Sequence, residues 1–302
     1  MFKNLSILSE ELADLAERGG GSVVRVETRQ RGANSGIVWS EDGVVVTSNQ
    51  GLHRLESLRV GMPDGSVLPA TLAGRDPSTD LAVLRINATG LEPAITEPAA
   101  EPVQEDLRVG SIAVALARPG RSIRASLGII SAVGGSWRTP AGGSLERFLQ
   151  TDLSLLPGFS GGPLLNPAGR LIGLNSTAMF KGMSIAIPAV GMQRVVSMLL
   201  EHGRIPHGYL GISTYPVLLS PSLHDEVGQQ EGLLLIAVEE AGPADGAGLL
   251  VGDILLSVGA QRVSDLESLL ASLAAERVGT MLPVSILRGG RREERTVAVG
   301  ER

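Results

Sequence analysis

Gly158-Phe159-Ser160-Gly161-Gly162-Pro163 sets a serine among glycines, a pattern suited to acyl transfer. Backbone N–H groups approach a developing oxyanion closely only where no Cβ intervenes. Ser160 is therefore the candidate nucleophile, and the N–H groups of Gly158 and Ser160 are the candidate oxyanion donors. The competing reading is a glycine-rich β-turn with an idle serine. A nucleophilic serine needs a proton acceptor and a group that orients it. Asp80, in Asp76-Pro77-Ser78-Thr79-Asp80-Leu81-Ala82-Val83-Leu84, precedes a buried strand and is the best orienter. Asp76, ahead of a proline, reads as a turn residue.

Three stretches resemble the HtrA/Deg family of trypsin-like serine proteases. Gly43–Gln50 (GVVVTSNQ) resembles its strand and turn ending in TxxH, Asp76–Leu84 its DPxxDxAxL, and Gln150–Asn166 its QTDxxxxxGxSGGPLxN. This resemblance covers the first 200 residues. It implies a chymotrypsin-like fold with Ser160 on the nucleophile, Asp80 on the acid and Gln50 on the histidine. A carboxamide takes up no proton near neutral pH, so Gln50 cannot act as a general base. Gln50 can still accept a hydrogen bond from Ser160 and donate one to Asp80, so the triad geometry is expected to outlast the chemistry.

Of the four histidines, His202 falls just before the linker, and His207 and His224 fall in the linker or the second domain. His53 lies three residues after Gln50 and is the alternative base; the plainer reading is a surface histidine beside Arg54. Leu155 and Ala178 match the family's specificity-pocket positions, which implies a small aliphatic pocket. Phe159 stands where the family has a small polar residue, and its bulk is expected to narrow the cleft. The loop between Asn175 and Ser184 is short.

Tyr209-Leu210-Gly211-Ile212, Gly242-Pro243-Ala244, Ala247-Gly248-Leu249 and Gly252-Asp253-Ile254-Leu255 occur in the order of the PDZ domain that follows the protease in this family. Such a module adds an extended peptide to a sheet edge. The N–H groups of Leu210, Gly211 and Ile212, after Tyr209, would cradle a terminal carboxylate. A PDZ fold that only packs on the first domain is the competing reading.

These sites need a β-rich scaffold, and the pattern supplies one. From Ser22 the apolar period is two, in short runs separated by Asp-Gly and Gly turns. The strands suffice for a pair of closed barrels, which leave no sheet edge. The expected architecture is mostly β, a chymotrypsin/trypsin-like double β-barrel followed by a PDZ domain. Its expected parts are an N-terminal amphipathic helix (1–21), a protease-like domain (22–203), a linker (204–207) and the PDZ domain (208–302). Leu5, Leu8, Leu12 and Leu15 stripe the first helix; the stripe either covers its own domain or meets a neighbouring subunit. Residues 88–108 form an acidic connection. Pro188 opens a helix carrying Met192, Val195, Val196, Leu199 and Leu200, which Gly203 stops. A last helix carries Leu266, Leu269, Leu270 and Leu273, with a capping box expected from Ser264 and Glu267.

Composition narrows the function classes. A net charge of −6 argues against a nucleic-acid partner, and the best basic cluster, Arg288, Arg291 and Arg292, adjoins Glu293 and Glu294 as a solvated hairpin tip would. With no cysteine, disulfides and thiolate metal sites are unavailable, and neither a metal nor a cofactor is expected. No run approaches the roughly 18 apolar residues of a membrane span. The N-terminus lacks the pattern of a secretory signal, so the chain as written reads as cytoplasmic, or as periplasmic if a leader has been removed. The expected function is that of an HtrA-like homologue binding unfolded polypeptides or protein C-termini, with catalysis impaired at Gln50. The alternative is an active serine endopeptidase of protein quality control that uses Ser160 and Asp80 with His53 or another group as base. The resemblance also implies a trimer.

Overall fold

The computed structural model describes residues 2–28, 33–52, 57–94, 107–135, 137–138, 144–145, 148–177, 183–205, 208–273 and 277–301. The chain forms two compact units, Met1–Ile205 and Pro206–Arg302. Among the described residues no helix is long and apolar enough to cross a membrane, and no cluster of His, Asp or Glu could hold a metal ion.

The first unit opens with helix α1 (Phe2–Gly20) and then builds two closed barrels, each six-stranded. The first barrel uses β1 (Val23–Glu27), β2 (Ala33–Val38), β3 (Val44–Ser48), β4 (Arg59–Gly61), β5 (Val67–Asp76) and β6 (Leu81–Ile86), joined antiparallel in the order β1-β2-β3-β6-β5-β4. β7 (Ile112–Ala117) and β8 (Arg124–Gly134) start the second. A small hairpin, β9 (Trp137–Arg138) with β10 (Ser144–Leu145), precedes β11 (Phe148–Thr151), β12 (Pro163–Leu165), β13 (Leu171–Ser176) and β14 (Ser184–Pro188), and the barrel closes as β11-β14-β13-β12-β7-β8. The expected double barrel is thus present. Of the acidic connection, residues 95–106 lie outside the described residues.

α2 (Ala189–His202) follows β14 directly, with Pro188 as its N-cap. Gly203 ends it in the left-handed conformation, where its N–H bonds the Leu199 carbonyl. Met192, Val196 and Leu199 enter the core shared by both barrels, and so does Leu15 of α1. The stripe of α1 is divided. Leu12 packs against that core beside Leu15, whereas Leu5 is 62% and Leu8 41% exposed.

The second unit is a twisted antiparallel sheet with short helices. Its elements are β15 (Gly208–Tyr209), β16 (Ile212–Leu218), α3 (Pro221–Val227), β17 (Glu231–Val238), α4 (Pro243–Gly246), β18 (Ile254–Val258), β19 (Gln261–Arg262), α5 (Leu266–Ser272), β20 (Met281–Arg288), β21 (Arg291–Ala298) and β22 (Gly300–Glu301). The main sheet runs β16-β17-β18-β20-β21, which leaves β16 on its edge. The capping box of α5 is formed by Asp265 and Ser268 rather than by Ser264 and Glu267. Both pairs have the required spacing, and the Asp265 carboxylate, accepting the Ser268 N–H at 2.7 Å, wins. Leu269 and Leu273 are buried, while Leu266 and Leu270 face outward.

Arg288 is not a free hairpin-tip residue. Its guanidinium grips the buried Asp253 carboxylate through two 2.7 Å bonds, and Asp253 also accepts the Leu250 N–H at 2.8 Å. Burial raises the Asp253 pKa, but the Arg288 hydrogen bonds, the Leu250 N–H and the nearby charges of Arg288 and Arg295 outweigh it. The net effect holds the carboxyl below its ordinary value. A depressed pKa stabilises the folded state in full above the ordinary carboxylate pKa near 3.9, and that gain is lost as pH falls through the lowered value. Asp253→Asn is therefore expected to destabilise the second unit by roughly 2 to 3 kcal/mol at neutral pH. The deficit should shrink in acid. Hydrogen exchange of the β18 and β20 amides across pH 3 to 7 measures it.

Candidate functional site

Asp80 and Ser160 come together at the junction of the two barrels. Asp80 ends the turn before β6 and is buried, with a left-handed φ of 58°. Aspartate is among the few non-glycine residues that tolerate this conformation, at a cost of about 1 to 2 kcal/mol. Its carboxylate offsets that cost. Oδ2 accepts the hydroxyls of Ser48 and Ser176, both at 2.7 Å, and Oδ1 accepts the Gln50 N–H at 2.8 Å. Ser48 closes β3 in the first barrel and Ser176 closes β13 in the second, so one carboxylate ties both. Burial raises its pKa, and donation from Ser176, Ser48 and the backbone of Gln50 and Asn49 only partly opposes this.

Gln50 lies in the short 3-10 turn Asn49–Gly51 and is exposed. Only its backbone reaches Asp80. The expected side-chain relay from Ser160 through Gln50 to Asp80 is not formed, because hydroxyls fill Oδ2 and the nucleophile faces elsewhere. The Ser160 Oγ is 2.7 Å from the Thr177 hydroxyl and accepts the Thr177 N–H at 3.1 Å. His53 and Ala178 lie outside the described residues.

The turn carrying Ser160 is locked by close approach. Gly158 and Gly161 have φ of 98° and 82°, and a Cβ on Gly161 would sit 2.2 Å from the Ser35 carbonyl oxygen. Ser35 of β2 binds this turn from the first barrel. Its N–H donates to the Ser160 carbonyl at 3.0 Å, and its hydroxyl donates to the Gly158 carbonyl at 2.7 Å while accepting the Arg118 N–H at 2.8 Å. Arg118 is itself buried, its guanidinium donating to the carbonyls of Val23, Arg121 and Gly20. Asn175 completes the lock through the Gly161 N–H and the Gly162 and Pro163 carbonyls. Within the turn, Phe159 N–H bonds Leu156 and Gly162 N–H bonds Phe159. The N–H groups of Gly158 and Ser160 have no acceptor among the described residues.

Phe159 does not narrow the cleft. It is 2% exposed and fills the second barrel's core with Ile130, Leu149, Leu164 and Ile172. Leu155 is half-buried against the same cluster.

In the second unit Leu210 and Gly211 are buried, and Gly211 has a φ of 75°. The Leu210 carbonyl accepts the Ala244 N–H and the Gly211 carbonyl the Glu239 N–H. Tyr209, in β15, pairs with Gly300 of β22. Ile212 begins the edge strand.

Residues 34–174 match the family described as trypsin-like peptidase domain, and residues 208–299 match the PDZ domain. The chain is 34% identical over 289 residues to the putative serine protease HhoB of Synechocystis, covering 91% of this chain and 68% of that one. The chain belongs to the HtrA/Deg family. It is also 34% identical over 280 residues to a probable periplasmic serine endoprotease DegP-like of Halomonas elongata, of which it spans 57%. The solved structure of the HtrA-type protease AlgW with a decapeptide superposes at a TM-score of 0.77 with 28% identity, covering 96% of this chain and 98% of AlgW. This HtrA/Deg chain therefore combines the family's double barrel and PDZ fold with a serine bonded to Thr177.

Sequence reading missed Ser35, Ser48, Arg118, Ser176 and Thr177. Ser176 and Thr177 follow Asn175 in the short loop noted above; Ser35 and Ser48 stand among other polar residues at strand ends and Arg118 just after an apolar run, and nothing local singles them out. Gly161→Ala should cost roughly 2 to 3 kcal/mol, because the left-handed backbone and the clash with Ser35 add. Gly169, with φ of 80° and open space around it, is the control and should lose only about 1 kcal/mol as alanine. Urea unfolding monitored by tryptophan fluorescence compares the two.

Proposed function

We propose that this HtrA/Deg chain captures peptides through its PDZ unit and does not hydrolyse them, with Gln50 standing where the family's general base stands. The observation that carries this reading is the hydrogen-bond state of Ser160, whose hydroxyl has Thr177 and no imidazole or carboxylate as partner among the described residues. Acyl transfer needs the hydroxyl proton to leave as Oγ attacks the carbonyl carbon. A threonine hydroxyl is no base near neutral pH, and accepting the Thr177 N–H draws electron density from Oγ. The N–H groups of Gly158 and Ser160, which have no acceptor among the described residues, can receive a carbonyl oxygen, so the barrel can hold an extended peptide that it does not cut. In a serine protease, losing the base costs about 10⁶ in turnover, roughly 8 kcal/mol. The oxyanion donors that remain are worth about 10³ to 10⁴ over water, too little for proteolysis.

Peptide capture rests on the PDZ fold and the open edge of β16, and the peptide complexes of AlgW support it by similarity. The role is that of an adaptor, a holdase or a competitor for substrate. Relatives named as periplasmic endoproteases favour action outside the cytoplasm.

A fluorophosphonate probe should leave Ser160 unlabelled, and casein should stay intact. Ser160-dependent cleavage by the unaltered chain overturns the proposal, and loss of that cleavage in His53→Ala would assign the base. Gln50→His alone should recover little, because a new imidazole must displace Ser48 from Asp80 and Thr177 from Ser160. Adding Ser48→Ala and Thr177→Ala should raise its hydrolysis of a chromogenic peptide at least about tenfold, equivalent to 1.4 kcal/mol of barrier. Equal rates in the single and triple variants would show that the two hydroxyls do not matter.

A further inference from the structure

The free edge of β16 is itself interrupted, and this sets how much of a peptide it can pair with. Leu235 turns its backbone toward the β18 side, its N–H donating to Asp253 at 2.8 Å and its carbonyl accepting the Gly252 N–H at 2.9 Å. In an antiparallel pair where one residue faces away, its partner faces away too. Thr214, paired with Leu235, therefore points its N–H and carbonyl to the open edge. Leu233, two residues earlier on β17, pairs with Leu255 of β18 on one side and Pro216 on the other, so Pro216 also points outward. At the start of the strand, the Glu239 N–H donates to Gly211 at 2.8 Å, which brackets the Ile212–Val238 pair and turns Ile212 outward. The register shift between Ser213 and Thr214 leaves Ile236 as the extra residue on β17 and preserves this alternation.

The edge thus offers donor and acceptor at Ile212, both again at Thr214, and at Pro216 a carbonyl only. Proline has no N–H, and its ring occupies the place where the hydrogen would point. A strand added antiparallel, with its carboxyl end near Leu210–Ile212, meets these three positions with every second residue. Its last residue lies by Ile212, the third from the end by Thr214 and the fifth from the end by Pro216. There the ligand carbonyl loses its partner and meets a ring.

We propose that Pro216 ends strand addition along this edge, so that a chain held in the groove by its C-terminus pairs in full through its last four residues and gains little from those before them. A C-terminal tail that emerges only four residues from a folded body is then long enough to be held. This rests on the reading of the second unit as a peptide-capturing PDZ domain.

The test selects binders to the full chain from C-terminally displayed random decapeptides and measures the best one by calorimetry, both whole and cut to its last four residues. The two lengths should agree within about threefold for the unaltered chain. In Pro216→Val, which restores the N–H, the decapeptide should gain roughly 2- to 10-fold, as one hydrogen bond is worth, and the tetrapeptide should not change. A decapeptide more than tenfold tighter than the tetrapeptide on the unaltered chain, or a Pro216→Val variant that leaves both affinities unmoved, overturns the length limit while leaving peptide capture intact. Failure to enrich any peptide, or undiminished binding after amidation of the carboxyl end, overturns peptide capture and the limit with it.

Discussion

The first unit depends on one carboxylate. Asp80 is almost out of water, and it sits in a left-handed backbone that only its own hydrogen bonds make tenable. Its donors come from both barrels, Ser48 and Gln50 on one side and Ser176 on the other. A buried acid with fewer partners would be costly to fold around. Among the described residues, two hydroxyls and main-chain N–H groups supply what the acid at the Ser160 junction requires.

A nucleophilic serine needs two things, a fixed shape and a proton acceptor. Shape at the nucleophile turn comes from Gly158, Gly161, Ser35 and Asn175, none of which moves a proton. Proton transfer needs a base in contact with Ser160, and among the described residues the partner of its hydroxyl is Thr177. The second unit has supports of its own, since its edge strand and the Asp253–Arg288 clasp rest on backbone pairing and one ion pair.

The fold was legible where local pattern decides it. Alternating β-branched runs gave the strands, and Pro188 and Gly203 marked the two ends of α2. The serine turn and the acid were legible because glycine spacing and an aspartate before a buried strand are short-range signals. Contacts across the barrels were not. Ser160 and Thr177 are 17 residues apart, and Ser176 and Asp80 are 96 apart, so only the closed barrels join them. Phe159 was misread because its direction depends on the fold of the turn, which sends it into the core. The cap of α5 slipped by one residue because Ser264 and Asp265 are both good caps, and the sequence alone does not choose between them.

Arg118 is a buried cation whose guanidinium partners are all main-chain carbonyls, one of them at the C-terminal end of α1. Burial lowers its pKa, yet a guanidinium keeps its charge at any ordinary pH. Fixed dipoles at hydrogen-bond range are poorly screened by dissolved ions, unlike exposed pairs such as Arg85 with Asp42. The loop that Arg118 steadies behind the serine turn is accordingly indifferent to ionic strength and should keep its shape from dilute buffer to brine.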